Sequence, residues 1–287
     1  MINLSIAVVI TAMHFYFNRR NMSDNTTARQ ISYSCYYAKS KEGEQFIAEH
    51  VFSYQIAGKL VMNDGEQEYI FDEGDFRLSK RNTLIKYTKY PPVNGQYKNI
   101  SVFLDQQTLR SFGEEYGYTS EKHVQTPPII NIRPHVLLKS YMDSLQPYDQ
   151  FTQVGNDILL SLKVKEAIAI LLQTNPQLKD ILFDLTEPGK IDLEAFMNRN
   201  FHFNVSLDRF AYLTGRSLST FKRDFEKTFD TAPGKWLQQK RLQEAYYRIK
   251  EKGAAPSDVY MDVGFEDLSH FSFAFKKMYG MGPSKIV

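Results

Sequence analysis

The chain has 287 residues, 43% of them hydrophobic and 24% charged, with 35 Lys and Arg against 33 Asp and Glu. That length accommodates one large or two medium domains with a proper core, and a net charge of +2 excludes a protein that is a polycation throughout. The single cysteine, Cys35, excludes a disulfide framework and a thiolate zinc site and fits a reducing compartment.

Residues 1–21 form an apolar N-terminal extension, with Leu4 to Phe17 mostly apolar and Arg19-Arg20 behind them. The apolar run is shorter than the ~20 residues a membrane span needs, and no Lys or Arg precedes it, as a secretory signal would require. Met22-Ser23-Asp24-Asn25-Thr26 has the look of an ordinary polar start, so the extension reads as a non-native beginning. A packed or disordered helix and a membrane-associated segment are the alternatives.

Residues 31–104 read as β structure, dense in Tyr and Phe. Asn63-Asp64-Gly65 between two strand-like runs signals a hairpin. Asp72-Glu73-Gly74-Asp75 is a second turn, and Pro91-Pro92 with Asn94-Gly95 separates runs at Asn82–Tyr90 and Gln96–Leu104. Short strands at this spacing suggest a small barrel or double sheet. His50 is the only histidine in the region, which argues against a metal-dependent barrel enzyme.

The chain then turns helical. Asp105 caps a helix to about Tyr116, Thr126-Pro127-Pro128 interrupts, and Pro134 opens a helix to about Leu145. A longer helix runs from Asn156 or Asp157 to about Gln173, with Leu160, Val164, Ile168 and Leu171 on one stripe. Extra apolar residues at Ile158, Ile170 and Leu172 require cover from the barrel or from a partner subunit. Glu187-Pro188-Gly189 lies in a linker at 185–190, and Ile191 to about Asn200 is the next helix.

From Val205 onward the same pattern occurs twice, offset by fifty residues. Phe221, Phe225 and Phe229 fall on Phe271, Phe275 and Tyr279; Ser219 on Ser269; Lys227 on Lys277; Pro233 on Pro283. In the first copy Ser206 caps a short helix with Phe210 and Leu213 inside, Gly215 turns the chain, and Ser217 caps a helix from Leu218 to about Phe229. In the second, Pro256 and Ser257 open the short helix, Gly264 turns, and Asp267 caps a helix with Phe271, Phe275 and Met278 inside. Lys235–Lys250 connects them, its Trp236, Leu237, Leu242, Ala245, Tyr246 and Ile249 packing on both. A short helix, a glycine turn and a longer helix with a polar outer face is the helix-turn-helix pattern. The basic excess is small but lies here: from Thr186 onward there are 16 Lys and Arg against 13 Asp and Glu.

Ser217-x-x-x-Phe221-x-Arg223-x-Phe225, Pro233, Arg241-Leu242, Ala245, Val263-Gly264-Phe265-x-Asp267-x-Ser269-x-Phe271, Phe275-Lys276-Lys277 and Gly282-Pro283-Ser284 resemble the DNA-binding domain of AraC/XylS-type transcriptional regulators. The resemblance covers roughly residues 186–287. It implies two recognition helices entering successive major-groove segments on one face of DNA, about 34 Å apart. It also implies a cupin-like barrel at 22–185 and dimerisation through the helices that follow it. The expected fold is therefore α+β: an N-terminal cupin-like β-barrel with following helices, then an all-α domain of two helix-turn-helix units joined by a connecting helix. Two positions depart from the family: Phe273 stands where an Arg is usual, and Ile286-Val287 replaces the usual Tyr-Arg ending.

The expected DNA-binding residues follow from position on the helices, whose first turns meet base edges and whose later turns meet phosphates. In the first unit they are Ser206, Ser217, Ser219, Thr220, Lys222 and Arg223; in the second, Ser269, His270, Phe273, Lys276 and Lys277. Arg223 suits guanine O6 and N7, or is a surface arginine, solvated or paired with Glu226. Phe273 either touches a thymine methyl or packs the domain. The helix starts at Ser206 and Ser257 offer N–H groups to phosphate. No phosphate loop, H-E-x-x-H, G-x-S-x-G or dinucleotide fingerprint is present, so no catalytic residue, cofactor or metal ligand is assigned, and ligand-binding residues stay unassigned.

The chain reads as a cytoplasmic, sequence-specific transcription regulator controlled by a ligand or protein at its N-terminal domain. Its expected partners are double-stranded promoter or operator DNA, a small-molecule or protein effector, a second copy of the chain and RNA polymerase. The alternative is a small-molecule-binding or enzymatic barrel with a helical protein-interaction tail. The polar outer face of Leu218–Phe229 argues against it, because a docking helix shows apolar anchors.

Overall fold

In a computed structural model the residues described are 30–36, 41–150 and 157–286; the expected extension at 1–21 lies outside the described residues. Among the described residues there are nine strands: β1 (Ile31–Tyr36), β2 (Lys41–Ile47), β3 (His50–Ala57), β4 (Lys59–Asn63), β5 (Glu68–Phe71), β6 (Phe76–Ser79), β7 (Thr83–Tyr90), β8 (Tyr97–Leu104) and, after the first helix, β9 (Ile129–Ile132). They form two antiparallel sheets, in the orders β1-β8-β3-β6-β9 and β2-β7-β4-β5.

Among the described residues these sheets do not join into the closed barrel expected from the sequence. Pro91-Pro92 follows β7, and proline has no N–H with which to continue a ladder. The next turn, with Asn94 at φ 58°, carries the chain to the other sheet, where β8 lies between β1 and β3. The Asn63-Asp64-Gly65 hairpin forms as expected and aligns Leu60 with Phe71. Its turn is held by Asn63 Oδ1, which accepts from the Gly65 N–H at 2.7 Å, and by Asp64 Oδ1, which accepts from Glu66 and Gln67.

Strand alternation divides the interior. Phe52 and Tyr54 of β3, Phe76 and Leu78 of β6, and Ile100, Val102 and Leu104 of β8 face the helices. Val51, Leu60, Met62, Phe71, Ile85 and Tyr97 form a second core.

The larger sheet is covered by α1 (Gln106–Tyr116), α2 (Val136–Leu145) and α3 (Asp157–Thr174), with Ile181 and Leu182 of the short helix Lys179–Leu182 joining the same core. Asp105 caps α1, accepting from the Thr108 N–H at 2.8 Å. Strand β9 fills the interval between Pro128 and Pro134, for which no element is expected from the sequence: its isoleucines favour extended backbone, and Ile132 pairs with Phe76 at the free edge of β6. Helix α2 starts at Val136 rather than Pro134, with His135 as its cap. On α3, Val164, Ile168 and Leu171 are buried and Leu172 is covered too, but Ile158, Leu159 and Leu162 are 78%, 48% and 56% exposed.

The C-terminal part is helical: α4 (Leu193–Asn200), α5 (Leu207–Leu213), α6 (Leu218–Phe229), α7 (Pro233–Lys252), α8 (Pro256–Asp262) and α9 (Leu268–Tyr279). Phe210, Phe221, Phe225 and Leu237 centre one core, and Ala245, Val263, Phe271 and Phe275 another. Each closes on the connecting helix α7 through an aromatic pair, tilted in the first unit and stacked in the second. Phe229 lies 4.6 Å from Trp236, and Tyr279 4.6 Å from Tyr246. The inner stripe of α9 thus steps 271, 275, 279, with Ala274 beside it, and leaves Met278 38% exposed, contrary to its expected inward place. Ser257 is a second correction. Helix α8 is capped by Ala255 with Pro256 in its first turn, where a missing N–H costs nothing, and the Ser257 hydroxyl lies within the helix against Asp258.

Candidate nucleic-acid interface

Each longer helix begins at a side-chain cap, as the sequence indicates. Ser217 Oγ accepts from the Thr220 N–H, and Asp267 Oδ1 from the His270 N–H at 2.7 Å. The preceding turns require glycine. Gly215 has φ +64°, and a Cβ there would stand 2.3 Å from the Gly189 backbone. Gly264 has φ +97°, and a Cβ would stand 2.7 Å from the His202 carbonyl.

On α6 the buried Phe221 and Phe225 leave Ser219, Lys222, Arg223, Glu226 and Lys227 exposed, with Thr220 half-buried. Ser219, Thr220 and Arg223 come together on one face. Ser217 is engaged in capping, its hydroxyl 3.1 Å from Ser219 Oγ and 3.0 Å from Thr220 Oγ1. Ser206 caps α5, accepting from the Arg209 N–H, and stands apart from the recognition helix. On α9, Ser269, His270, Phe273, Lys276 and Lys277 are all exposed. The His270 ring lies 5.6 Å from Phe265, which limits its reach.

Arg223 pairs with Asp224 rather than Glu226, and only loosely, at 3.7 Å. Asp224 is engaged more closely by Arg216 at 3.1 Å and Lys190 at 3.3 Å, and these hydrogen bonds hold its carboxyl below the usual carboxylate range. The Arg223 side chain is 65% exposed, so its guanidinium remains available to a base edge.

A residue whose role the sequence did not disclose joins the two units. Arg241 of α7 donates to three backbone oxygens: Nε to Phe201 at 2.8 Å, Nη2 to Phe203 at 2.8 Å and Nη1 to Gly264 at 2.9 Å. It ties the loop after α4 to the turn of the second unit and so sets their relative angle. Only its adjacency to the inward Leu242 hinted at burial.

The smaller sheet also reaches these helices. Glu44 Oε2 accepts from the Asn204 N–H at 2.6 Å, while its Oε1 lies 2.8 Å from Lys86 Nζ. That ammonium donates to the Met261 and Asp262 carbonyls at the end of α8, the favoured place for a cation on a helix. Burial draws the Lys86 pKa below the usual lysine range, with Glu44 opposing. His202, beside this contact, is pushed down to about 4 by burial, then by Lys86, Arg248 and Arg241. Among the described residues no group of three or more His, Cys, Asp or Glu is placed to hold a metal ion, and no helix is long and apolar enough to cross a membrane.

Paired helix-turn-helix units behind a two-sheet N-terminal part define a class: DNA-binding transcription regulators. Two family models match the chain, one described as an ExsA N-terminal regulatory domain over residues 50–181 and one as a helix-turn-helix domain over residues 210–287. The HTH-type transcriptional regulator ExsA of Pseudomonas aeruginosa is 21% identical over 232 residues, covering 80% of this chain and 83% of that protein. The virulence regulon transcriptional activator VirF of Yersinia enterocolitica is 23% identical over 241 residues, covering 80% and 86%. A solved structure of apo ToxT from Vibrio cholerae aligns over 92% of this chain and 98% of its own, with 10% identity and a TM-score of 0.46. These matches support the resemblance to AraC/XylS-type transcriptional regulators.

Proposed function

We propose that residues 186–287 bind a specific double-stranded operator, with α6 and α9 in successive major-groove segments, and that residues 22–185 form a cupin-like domain that senses an effector. The carrying observation is the pair of outward faces, Ser219, Thr220 and Arg223 on α6 and Ser269, Phe273 and Lys276 on α9, in units held at one angle by Arg241. Arg223 reads guanine; Lys222, Lys276 and Lys277 meet phosphates. Ser206 and Ser217 order the helix starts that approach the backbone. The exposed Ile158, Leu159 and Leu162 of α3 support a homodimer, since a helix that is apolar beyond its core stripe needs a second cover. RNA polymerase is the further partner, the cytoplasm the compartment, and no catalytic step is assigned.

Selection from a random DNA library at fixed salt tests this reading. A single preferred site is expected, and Arg223→Ala is expected to weaken it by about 1–3 kcal/mol and to relax one guanine position. Recovery of no preferred sequence would sink the reading; unchanged affinity and specificity in the variant would remove Arg223 from it.

A further inference from the structure

The second recognition helix presents a phenylalanine at the centre of its outer face. Phe273 is 70% exposed, while Phe271 and Phe275 on the same helix are fully buried. The core of this unit is filled without it, by Val259, Val263, Phe265, Phe271, Ala274 and Phe275. Packing therefore gives no reason for an aromatic side chain at this position.

Its neighbours point to the partner. At about 100° per residue, Ser269, Phe273, Lys276 and Lys277 share one side of α9. A ring flanked by two exposed ammonium groups suits a polyanion that carries an apolar group between its phosphates. The internal repeat supplies the second observation: Phe273 occupies in α9 the place of Arg223 in α6, the best-exposed arginine of the first reading face. Among base edges in the major groove, the apolar group is the C5-methyl of thymine. Guanine, adenine and cytosine offer polar atoms that a phenyl ring would desolvate without a hydrogen bond in return.

We infer that Phe273 is a specificity-determining residue that packs on a thymine methyl, so that the half-site under α9 is selected by an apolar contact where the half-site under α6 is selected by hydrogen bonds. The inference rests on the DNA-binding reading above and names what its second unit recognises.

The test uses the full chain and its selected operator. The half-site that does not respond to Arg223→Ala is taken as that of α9, and each of its thymines is replaced in turn by deoxyuridine, which removes only the methyl. At one thymine the wild type should lose about fourfold in affinity, the worth of one buried methyl group, and Phe273→Ala should show no such loss. Deoxycytidine at that position should bind poorly and 5-methyldeoxycytidine should recover part of the deficit. Phe273→Arg should exchange the thymine preference for guanine, as its counterpart in the first unit predicts.

Uniform tolerance of deoxyuridine, or an equal penalty in wild type and Phe273→Ala, overturns the inference. So does a Phe273→Ala protein that keeps its sequence preference but fails to support transcription with RNA polymerase, which would assign the ring to that enzyme. Selection of an Arg223-dependent operator without methyl coupling defeats this inference alone; failure to select any operator defeats the DNA-binding reading itself. If Phe273→Ala does not fold, the deoxyuridine series with wild type and Phe273→Leu, which keeps an apolar contact, still decides the question.

Discussion

The two helix-turn-helix units have the same inner face and different surroundings. The first shares its core with the N-terminal sheets: Leu84 of β7 is buried among Phe203, Phe210 and Phe221, and Phe46 of β2 packs beside it with the Arg209 guanidinium 3.8 Å from its ring centre. The second closes its core with its own residues and meets the smaller sheet through polar groups, chiefly Lys86 on the end of α8. A duplicated scaffold has thus been attached to its neighbour once by apolar burial and once by charge. Apolar burial is not subject to charge screening, whereas partly buried charge contacts still respond to ionic strength, though less than exposed ones, and to pH.

The comparison is broken most directly at the paired phenylalanines. Phe225→Ala and Phe275→Ala each empty a fully buried site and should each cost about 3–5 kcal/mol in chemical unfolding. Hydrogen exchange should separate them: Phe225→Ala is expected to loosen β2 and β7 as well, and Phe275→Ala to remain within α7, α8 and α9. Equal spread of the two effects would show that both units are coupled to the sheets alike.

Arg241→Met probes the joint between the units. It leaves three backbone oxygens without their charged donor, at roughly 2–3 kcal/mol. Its more telling readout is spacing: operators with one base pair added between the half-sites, rejected by the wild type, should be better tolerated by the variant. An unchanged spacing profile would mean that α7 alone holds the angle.

The smallest effect concerns pH. His202 sits where the first unit, the second unit and the smaller sheet meet, and its folded-state pKa is lowered from 6.5 to about 4. The folded protein holds it neutral while the unfolded chain binds a proton more readily. Its contribution is therefore complete above the unfolded value and is lost as pH falls from about 6.5 toward 4. Between pH 7 and 5 this residue should account for a loss of about 2 kcal/mol in unfolding free energy, and His202→Gln should flatten that part of the curve. A slope unchanged in the variant would assign the acid sensitivity elsewhere, as to His50, which burial pushes down to about 3.

Much of this was legible locally. The fifty-residue repeat, the caps at Ser206, Ser217 and Asp267, the glycine turns and the Asn63-Asp64-Gly65 hairpin all act over a few residues, so residue type and spacing carry them. The division of strands between two sheets was not, because β7 and β8 are adjacent in sequence and the choice of partner is made by distant strands. Strand β9 was hidden by its brevity and by helices on both sides. Glu44 with Asn204, Lys86 with Met261 and Arg241 with Phe201 join residues 40 to 175 apart, and a single charged residue in a polar loop or on a strand leaves no periodic trace of its partner. The outward placement of Phe273 needed the structure, since its helix carries two other phenylalanines that are buried.

The segment between the two halves of the molecule has no slack. Arg81 donates to the Thr186 carbonyl, Tyr212 donates to Glu187 at 2.5 Å, Gly189 lies against Gly215, and Lys190 pairs with Asp224. A free tether of six residues would wander over roughly 13 Å. Held at these points, residues 185–190 behave as a taut strap whose far end is stitched to α6 beside Arg223. A displacement of the turn that carries Arg81 would be felt at α6 as a pull, with no loose chain in between to absorb it.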